Sequence, residues 1–448
     1  MRTRLTLVLL LLSCFIWAEN SEKLGGDLTV YKESKYSFGM SAPNIPIKNL
    51  RDFAFGNRMF NTNWVTAPSS VPSLDGLGPL FNRVACSQCH LRDGRGRAPH
   101  DSNEMMNSML VRMSAINEKG EVIDHPIYGG QLSDRAIQDL KAEARVRVSW
   151  HESQGQFADG QTYSLRKPQY KFEFFRGDAG EFLFSPRVTP AVYGLGLLEA
   201  LDEKSILTHA DPEDQDGDGI SGKANYVWDA VSKSTQLGRF GLKANAPNLL
   251  HQNTGAANGD IGLTSKYFPK KNHQVIHKDL ENHKRAGFDL SEEQARRLTL
   301  YIQSLGVPVR RNMDDEQAKQ GEKFFKQINC QSCHVESFTT GKDHELEFLR
   351  NQQIFPYTDL LLHDMGADLA DNRPDGLANG FEWRTPPLWG LGLHKMVNGN
   401  DYFLHDGRAR TIEEAILWHG GEAEASRDAY KKLNKEERES LMKFLKSL

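Results

Sequence analysis

Two pentapeptides of identical spacing constrain this chain more than any other feature. They are Cys86-Ser87-Gln88-Cys89-His90 and Cys330-Gln331-Ser332-Cys333-His334. Cysteines two residues apart, followed at once by histidine, form the attachment signature of c-type haem. Two thiols add to the two vinyl groups of one porphyrin, and the adjacent imidazole lies beneath the iron as its proximal ligand. The spacing lets a single helical turn present both sulfurs to one porphyrin edge. A structural zinc would take four ligands from neighbouring pairs, yet these pairs stand far apart. A thioredoxin-like pair would want a βαβ setting, which the flanking sequence does not offer. The expectation is two covalently bound haem c groups on Cys86, Cys89, Cys330 and Cys333, with His90 and His334 on the irons.

The surroundings of the motifs match as well. Phe81-Asn-Arg-Val84-Ala-Cys86 shares its apolar positions with Phe325-Lys-Gln-Ile328-Asn-Cys330, and Gly56-Asn-Arg-Met-Phe60 parallels Gly321-Glu-Lys-Phe-Phe325. Thr189-Pro-Ala-Val-Tyr-Gly-Leu-Gly-Leu197 pairs with Thr385-Pro-Pro-Leu-Trp-Gly-Leu-Gly-Leu393. Each half then ends in an amphipathic segment, Leu290 to Leu305 and Leu433 to Leu448. Both segments open with a capping box, Ser291 with Gln294 and Asn434 with Glu437, and both predict a helix packing an apolar stripe on a haem domain. Four landmarks in one order describe a tandem cytochrome c fold whose first copy is enlarged by loop insertions. Gly306-Val307-Pro308 marks the boundary, so one domain is expected at 45–305 and the second at 306–448. Residues 19–44, rich in Gly, Lys and Ser, read as an N-terminal arm or tether.

The amino terminus reads as an export signal. Arg2 and Arg4 precede an apolar run from Leu5 to Trp17, and Ala18 then gives way to Glu19 and Asn20. A basic start, a short apolar stretch and a small residue at the cut define a signal peptide over 1–18. The run falls short of the roughly 20 apolar residues a membrane span needs, and no later segment reaches that length. A soluble periplasmic protein is therefore expected. Leu11-Leu12-Ser13-Cys14 loosely resembles a lipobox, which leaves a lipid anchor at Cys14 as the alternative. A net charge of -4 over 448 residues argues against a nucleic-acid partner.

One insertion carries a second metal motif. Asp214-Gln-Asp216-Gly-Asp218-Gly219 matches the start of a D-x-D-x-D-G calcium loop, with Asn225 where the bidentate Glu usually stands. Asp214, Asp216 and Asp218 are the candidate ligands of a structural calcium; a solvated acidic turn is the alternative.

Longer stretches of the second half resemble the bacterial di-haem cytochrome c peroxidases. They are Phe325 to His334, Tyr357-Thr-Asp-Leu-Leu-Leu-His-Asp-Met-Gly366, Arg384-Thr-Pro-Pro-Leu388, Tyr402-Phe-Leu-His-Asp-Gly-Arg408 and Thr411-Ile-Glu-Glu-Ala415. Residues 56–97, 187–225 and 239–265 are similar to the branch of that superfamily termed di-haem oxidoreductases, or predicted thiol oxidoreductases. The resemblance implies an all-α, two-domain protein with one haem per domain, one storing an electron and the other binding substrate such as peroxide. It also implies a periplasmic protein that donates or accepts electrons. In the peroxidases the high-potential haem has His/Met ligation. Here the stretch before Arg384, Asn379-Gly-Phe-Glu-Trp383, holds no methionine. Met365, Met396 and His363 become the candidate substitutes; thioethers raise haem potential, although methionines more often fill cores. His363 and His405, in family-like motifs, are the candidate catalytic residues.

Other groups near the motifs keep open readings. Met105, Met106, Met109 and Met113 have rough helical spacing and read as packing. Arg92, Arg95 and Arg97 follow the first motif and would pair with haem propionates, dock a partner, or form a solvated basic turn. Trp383 and Trp389 flank the second Thr-Pro segment, as core residues or on an inter-haem path. An oxidoreductase of peroxidase type is the leading expectation. A plain electron carrier is the alternative, and thiol oxidation would need a substrate thiol, since no cysteine is spare after signal removal.

Overall fold

A computed structural model of the chain describes residues 21–281 and 287–448. The segment read as an export signal, with Cys14, lies outside the described residues. The principal helices are α1 (Ile47–Asn61), α2 (Leu249–Ile261), α3 (Glu292–Gln303), α4 (Glu316–Gln327) and α5 (Lys435–Ser447). Both expected capping boxes form. Ser291 accepts from the Gln294 amide while the Gln294 side chain accepts from the Ser291 amide, and Asn434 and Glu437 do the same. Each box satisfies two amides that a helix start leaves without partners. The buried stripes are Leu298, Tyr301 and Ile302 on α3 and Leu441, Phe444 and Leu445 on α5.

The internal repeat reappears as repeated packing. Helix α1 crosses α3 at Gly56, where an added Cβ would overlap the Arg297 carbonyl and the Tyr301 Cβ; α4 crosses α5 at Gly321, against the Ser440 carbonyl and the Phe444 Cβ. These partners occupy matching places in the two terminal helices. Gly196 and Gly392 likewise abut the carbonyls of Gln303 and Lys446. Close backbone approach is the reason for glycine at these crossings. Gly321→Ala is expected to cost about 1–3 kcal/mol through overpacking, read as a lower urea midpoint at unchanged m value.

The expectation of an all-α protein is wrong: 29% of the structure is helix and 19% is strand, in several small sheets. The largest is a hairpin of two 13-residue strands. The strands of this region are β1 (Met109–Ile116), β2 (Ala144–Gln156), β3 (Thr162–Phe174) and β4 (Leu183–Val188). β2 pairs antiparallel with β3 from Ala144 opposite Phe174 to Gln156 opposite Thr162. β1 pairs antiparallel with β4 from Met109 opposite Val188. Ala144, Val146 and Val148 are buried while Arg145 and Arg147 between them are not, the period-two pattern of a half-buried strand. Met109 and Met113 do pack, but from a strand: positions four apart share a face in both geometries. Met106 is buried with them and Met105 is exposed.

The hairpin leans on the other half of the chain. Arg166 donates to the carbonyls of Arg408 and Gly407 at 3.0 and 3.1 Å. At the tip, Ala158 donates to the Lys431 carbonyl and Arg438 pairs with Asp159 at 2.9 Å. The N-terminal residues are built in as well: Leu24, Leu28 and Phe38 are fully buried, and Thr29–Val30 pairs in parallel with Val307–Pro308. One hydrophobic core runs from Leu24 and Phe60 through Tyr301 and Trp389 to Phe444. At its middle the two Thr-Pro segments meet. Gly194 and Gly390, with φ of 70° and 71°, make room for Trp389 and Tyr193 respectively, and the Tyr193 hydroxyl donates to the Trp389 carbonyl at 2.7 Å. Among the described residues no helix is long and apolar enough to cross a membrane.

Candidate functional site

Each motif begins as one 3-10 turn, Cys86–Gln88 and Cys330–Ser332. In each, the histidine amide donates to the carbonyl of the first cysteine at 3.0 Å, which closes the turn over all five residues of the motif. The side chains are then fixed by one device. His90 Nδ1 lies 2.8 Å from the Pro190 carbonyl and His334 Nδ1 lies 3.0 Å from the Tyr357 carbonyl. A carbonyl only accepts, so Nδ1 carries the proton and Nε2 keeps its lone pair for a metal. Burial lowers both histidines to about 4, the carbonyl bond opposing it, so both are neutral at pH 7. Phe60 and Phe325, matched in the repeat, flank the two rings at 5.8 and 6.3 Å between centroids. The four thiols are not joined as disulfides. Burial pushes Cys86, Cys89 and Cys330 up to about 12, so they are protonated rather than thiolate ligands.

Around the second motif runs a two-stranded ladder, β5 (Leu362–Asp364) against β6 (Glu382–Arg384). It carries His363, buried and gripped at both nitrogens: Nε2 lies 2.7 Å from Asp359 Oδ2 and Nδ1 lies 2.6 Å from Glu422 Oε2. Cys333 Sγ also lies 3.5 Å from Nδ1. Burial alone would lower its pKa, but hydrogen bonds to Asp359, Cys333 and Glu422 outweigh it and raise it well above the usual histidine value. His363 is therefore a doubly paired imidazolium beside Cys333, without a free nitrogen for iron.

His405 sits on the next layer. Its ring stacks on Trp383 at 3.9 Å and 8°, with its Nε2 3.6 Å from Asp406. Burial lowers it to about 4, against the pull of Asp406, so it is neutral. On Trp383 also lies the ammonium of Lys243, 4.6 Å from the ring centre. Trp389 fills the core at the junction of the halves. Met396 is 46% exposed, which removes it from any buried iron site. Met365 is half-buried and packs with Leu369, Phe403 and Trp418.

The arginines after the first motif form no solvated turn. Arg92 donates to the Val397 carbonyl at 2.6 Å and Arg95 to the Tyr402 and Leu404 carbonyls, while Arg97 pairs with Glu104. Arg92 and Arg95 thus tie the first motif to residues 397–404 of the second half.

The acidic loop forms with altered membership. Carboxylate oxygens of Asp211, Asp214 and Asp216 lie within 4.8 Å of one another. Asp218 instead accepts from the Ile220 amide at 2.9 Å. Asn225 is turned away, bonded to the Lys243 and Asp375 carbonyls. The loop is not isolated from the second motif: the Ser221 hydroxyl donates to Glu422 Oε1 at 2.7 Å, and Glu422 holds His363.

Sequence reasoning overlooked Asp211, Lys243, Asp359, His419 and Glu422. Asp359 had a signal, since it stands four residues before His363 in the same quoted stretch. Glu422 had none, because the chain brings it 59 residues across to the histidine.

No curated protein matches this chain significantly. Among solved structures, Kuenenia stuttgartiensis hydrazine synthase pressurized with 20 bar xenon matches at 19% identity over 41% of this chain and 64% of its own, with a TM-score of 0.24. The chain thus spans less than two thirds of that relative, and a likeness of this size carries no argument about fold or function. The family model described as "di-haem oxidoreductase, putative peroxidase" matches residues 18–448, through both histidine turns and the hairpin between them, and the chain belongs to that family.

Proposed function

We propose that this haem oxidoreductase works as an exported, peroxidase-like enzyme with both haems attached as haem c. The matched construction of the two motifs carries the reading. In each, two thiols stand one turn apart beside a neutral imidazole whose Nδ1 is spent on a carbonyl. That donor set fits a haem joined at two vinyl groups with one axial nitrogen, and it lacks the clustered ligands of a structural zinc. Cys86 and Cys89 hold one haem with His90 as proximal ligand; Cys330 and Cys333 hold the other with His334.

The haems supply the redox chemistry when bound, and the protein sets their ligands, potential and access. Reduction of hydrogen peroxide to two waters consumes two electrons and two protons, so a periplasmic donor protein would refill the pair. Residues 45–305 and 306–448 would serve as the two haem-bearing units, joined by the N-terminal arm. Asp211, Asp214 and Asp216 would take a structural calcium, oxygen ligands suiting that hard cation.

The test is low-temperature EPR of the holoprotein, fully oxidised and half-reduced, with and without hydrogen peroxide. A haem that is high-spin, or becomes so on half-reduction, and that responds to peroxide is the expected result. Two haems that stay low-spin and ignore peroxide would make the protein an electron carrier.

A further inference from the structure

Three described histidines share one feature. His90, His334 and His419 each present Nδ1 to a backbone carbonyl within 3.0 Å, the last to Ala415 at 2.7 Å. The first two are the motif histidines. The third lies outside both motifs, yet it is prepared in the same way: Nδ1–H is committed to the Ala415 carbonyl, which leaves Nε2 with the lone pair that can bind metal.

Its position is set by the turn that follows the short helix Ile412–Leu417. Gly420 and Gly421 lie so close to the backbone of Met365, Gly366 and Asp364 that a Cβ on Gly421 would overlap the Asp364 carbonyl. Glu422 then accepts from the Asp364 amide at 3.0 Å and grips His363, which touches Cys333. Residues 419–422 are thereby pinned beside the second motif.

Of the candidates named from sequence, His363 has both nitrogens held by carboxylates, Met396 is exposed, and His405 lies with its ring flat against Trp383. Met365 packs among apolar side chains.

From this we infer that His419 Nε2 is the second axial ligand of the haem carried by Cys330 and Cys333, making that haem six-coordinate with two imidazoles. The inference rests on the haem assignment proposed above and deepens it. The second haem becomes the electron-storing one, and the haem on Cys86 and Cys89 keeps an iron face for substrate. A histidine in place of methionine also sets the second haem at lower potential than the His/Met haem of the peroxidases.

The experiment compares wild type, His419→Ala and His419→Met as purified holoproteins, by haem count per chain, EPR, near-infrared magnetic circular dichroism and redox titration. Wild type should show a bis-histidine low-spin haem and no thioether-to-iron band. His419→Ala should keep both haems while that low-spin signal turns high-spin, and added imidazole should restore it. His419→Met should gain the thioether band and a higher potential for that haem. A thioether band already present in wild type would give the position to Met365 and overturn the inference, even if neither variant folds. A low-spin signal unchanged in His419→Ala would overturn it as well. Fewer than two haems per wild-type chain would instead break the haem assignment itself, and the inference with it.

Discussion

Replacing Cys330 and Cys333 together by alanine is expected to halve the covalently bound haem while leaving the first site loaded. Each motif is a self-contained turn with its own carbonyl anchor, Pro190 for one histidine and Tyr357 for the other, so losing one set of thioethers does not remove the second. Intact-mass measurement under denaturing conditions reads the count directly, since only covalent haem survives. The mass should fall by one haem, and the matching change at Cys86 and Cys89 should remove the other. A double variant that still carries two covalent haems would show that the second motif is not an attachment point. The same preparations bear on the division of labour: the variant retaining the first haem should still respond to peroxide once reduced, although without a second electron store it should turn over far more slowly.

The second large effect is on stability. Lys243 is fully buried and its side chain meets Asp371, itself 1% exposed, at 2.7 Å. The ammonium also donates to the carbonyls of Arg373 and Asn379 at 2.9 and 2.8 Å. Asp371 Oδ1 accepts from this ammonium and from the Arg373 amide at 3.0 Å, while Oδ2 has no hydrogen-bond partner among the described residues, so the lysine is the charge that the carboxylate meets directly. Lys243→Met would leave a carboxylate in the interior without its counter-charge, which costs about 3–5 kcal/mol. The expected observation is a large fall in the urea midpoint of the holoprotein at unchanged m value. Adding Asp371→Asn should recover much of it, because the stranded charge is then gone. A loss below about 1 kcal/mol for the single variant would mean that the site relaxes or hydrates, and that the pair is not the keystone under Trp383 and His405 that the geometry makes it.

Much of the site was legible because its chemistry is local. Cys-x-x-Cys-His is a one-turn object, and so is a capping box: Ser291 with Gln294 and Asn434 with Glu437 were read from four residues each and formed as read. What long-range packing decides was not legible. His363 stood out as a candidate, but its role turned on Glu422, far along the chain, and the pairing makes it an ion rather than a free base. The acidic loop stands out in the sequence, yet which carboxylates converge depends on turn geometry that brings Asp211 in and leaves Asp218 out. The misjudged fold class has a different cause. The alternation of Arg145-Val146-Arg147-Val148, and of Tyr170, Phe172 and Phe174 with charged neighbours, is a plain strand signal. It was outweighed by family resemblance, which speaks to the shared haem-bearing parts and is silent about an insertion.

That insertion leaves a mark on what the chain can become. Its tip rests on Lys431 and Arg438, its shaft on Gly407 and Arg408, and the paired strand at Val307–Pro308 draws on residues from the opening of the chain. Two halves so interlaced are no longer modular: neither could be cut loose without baring the surface that the other covers.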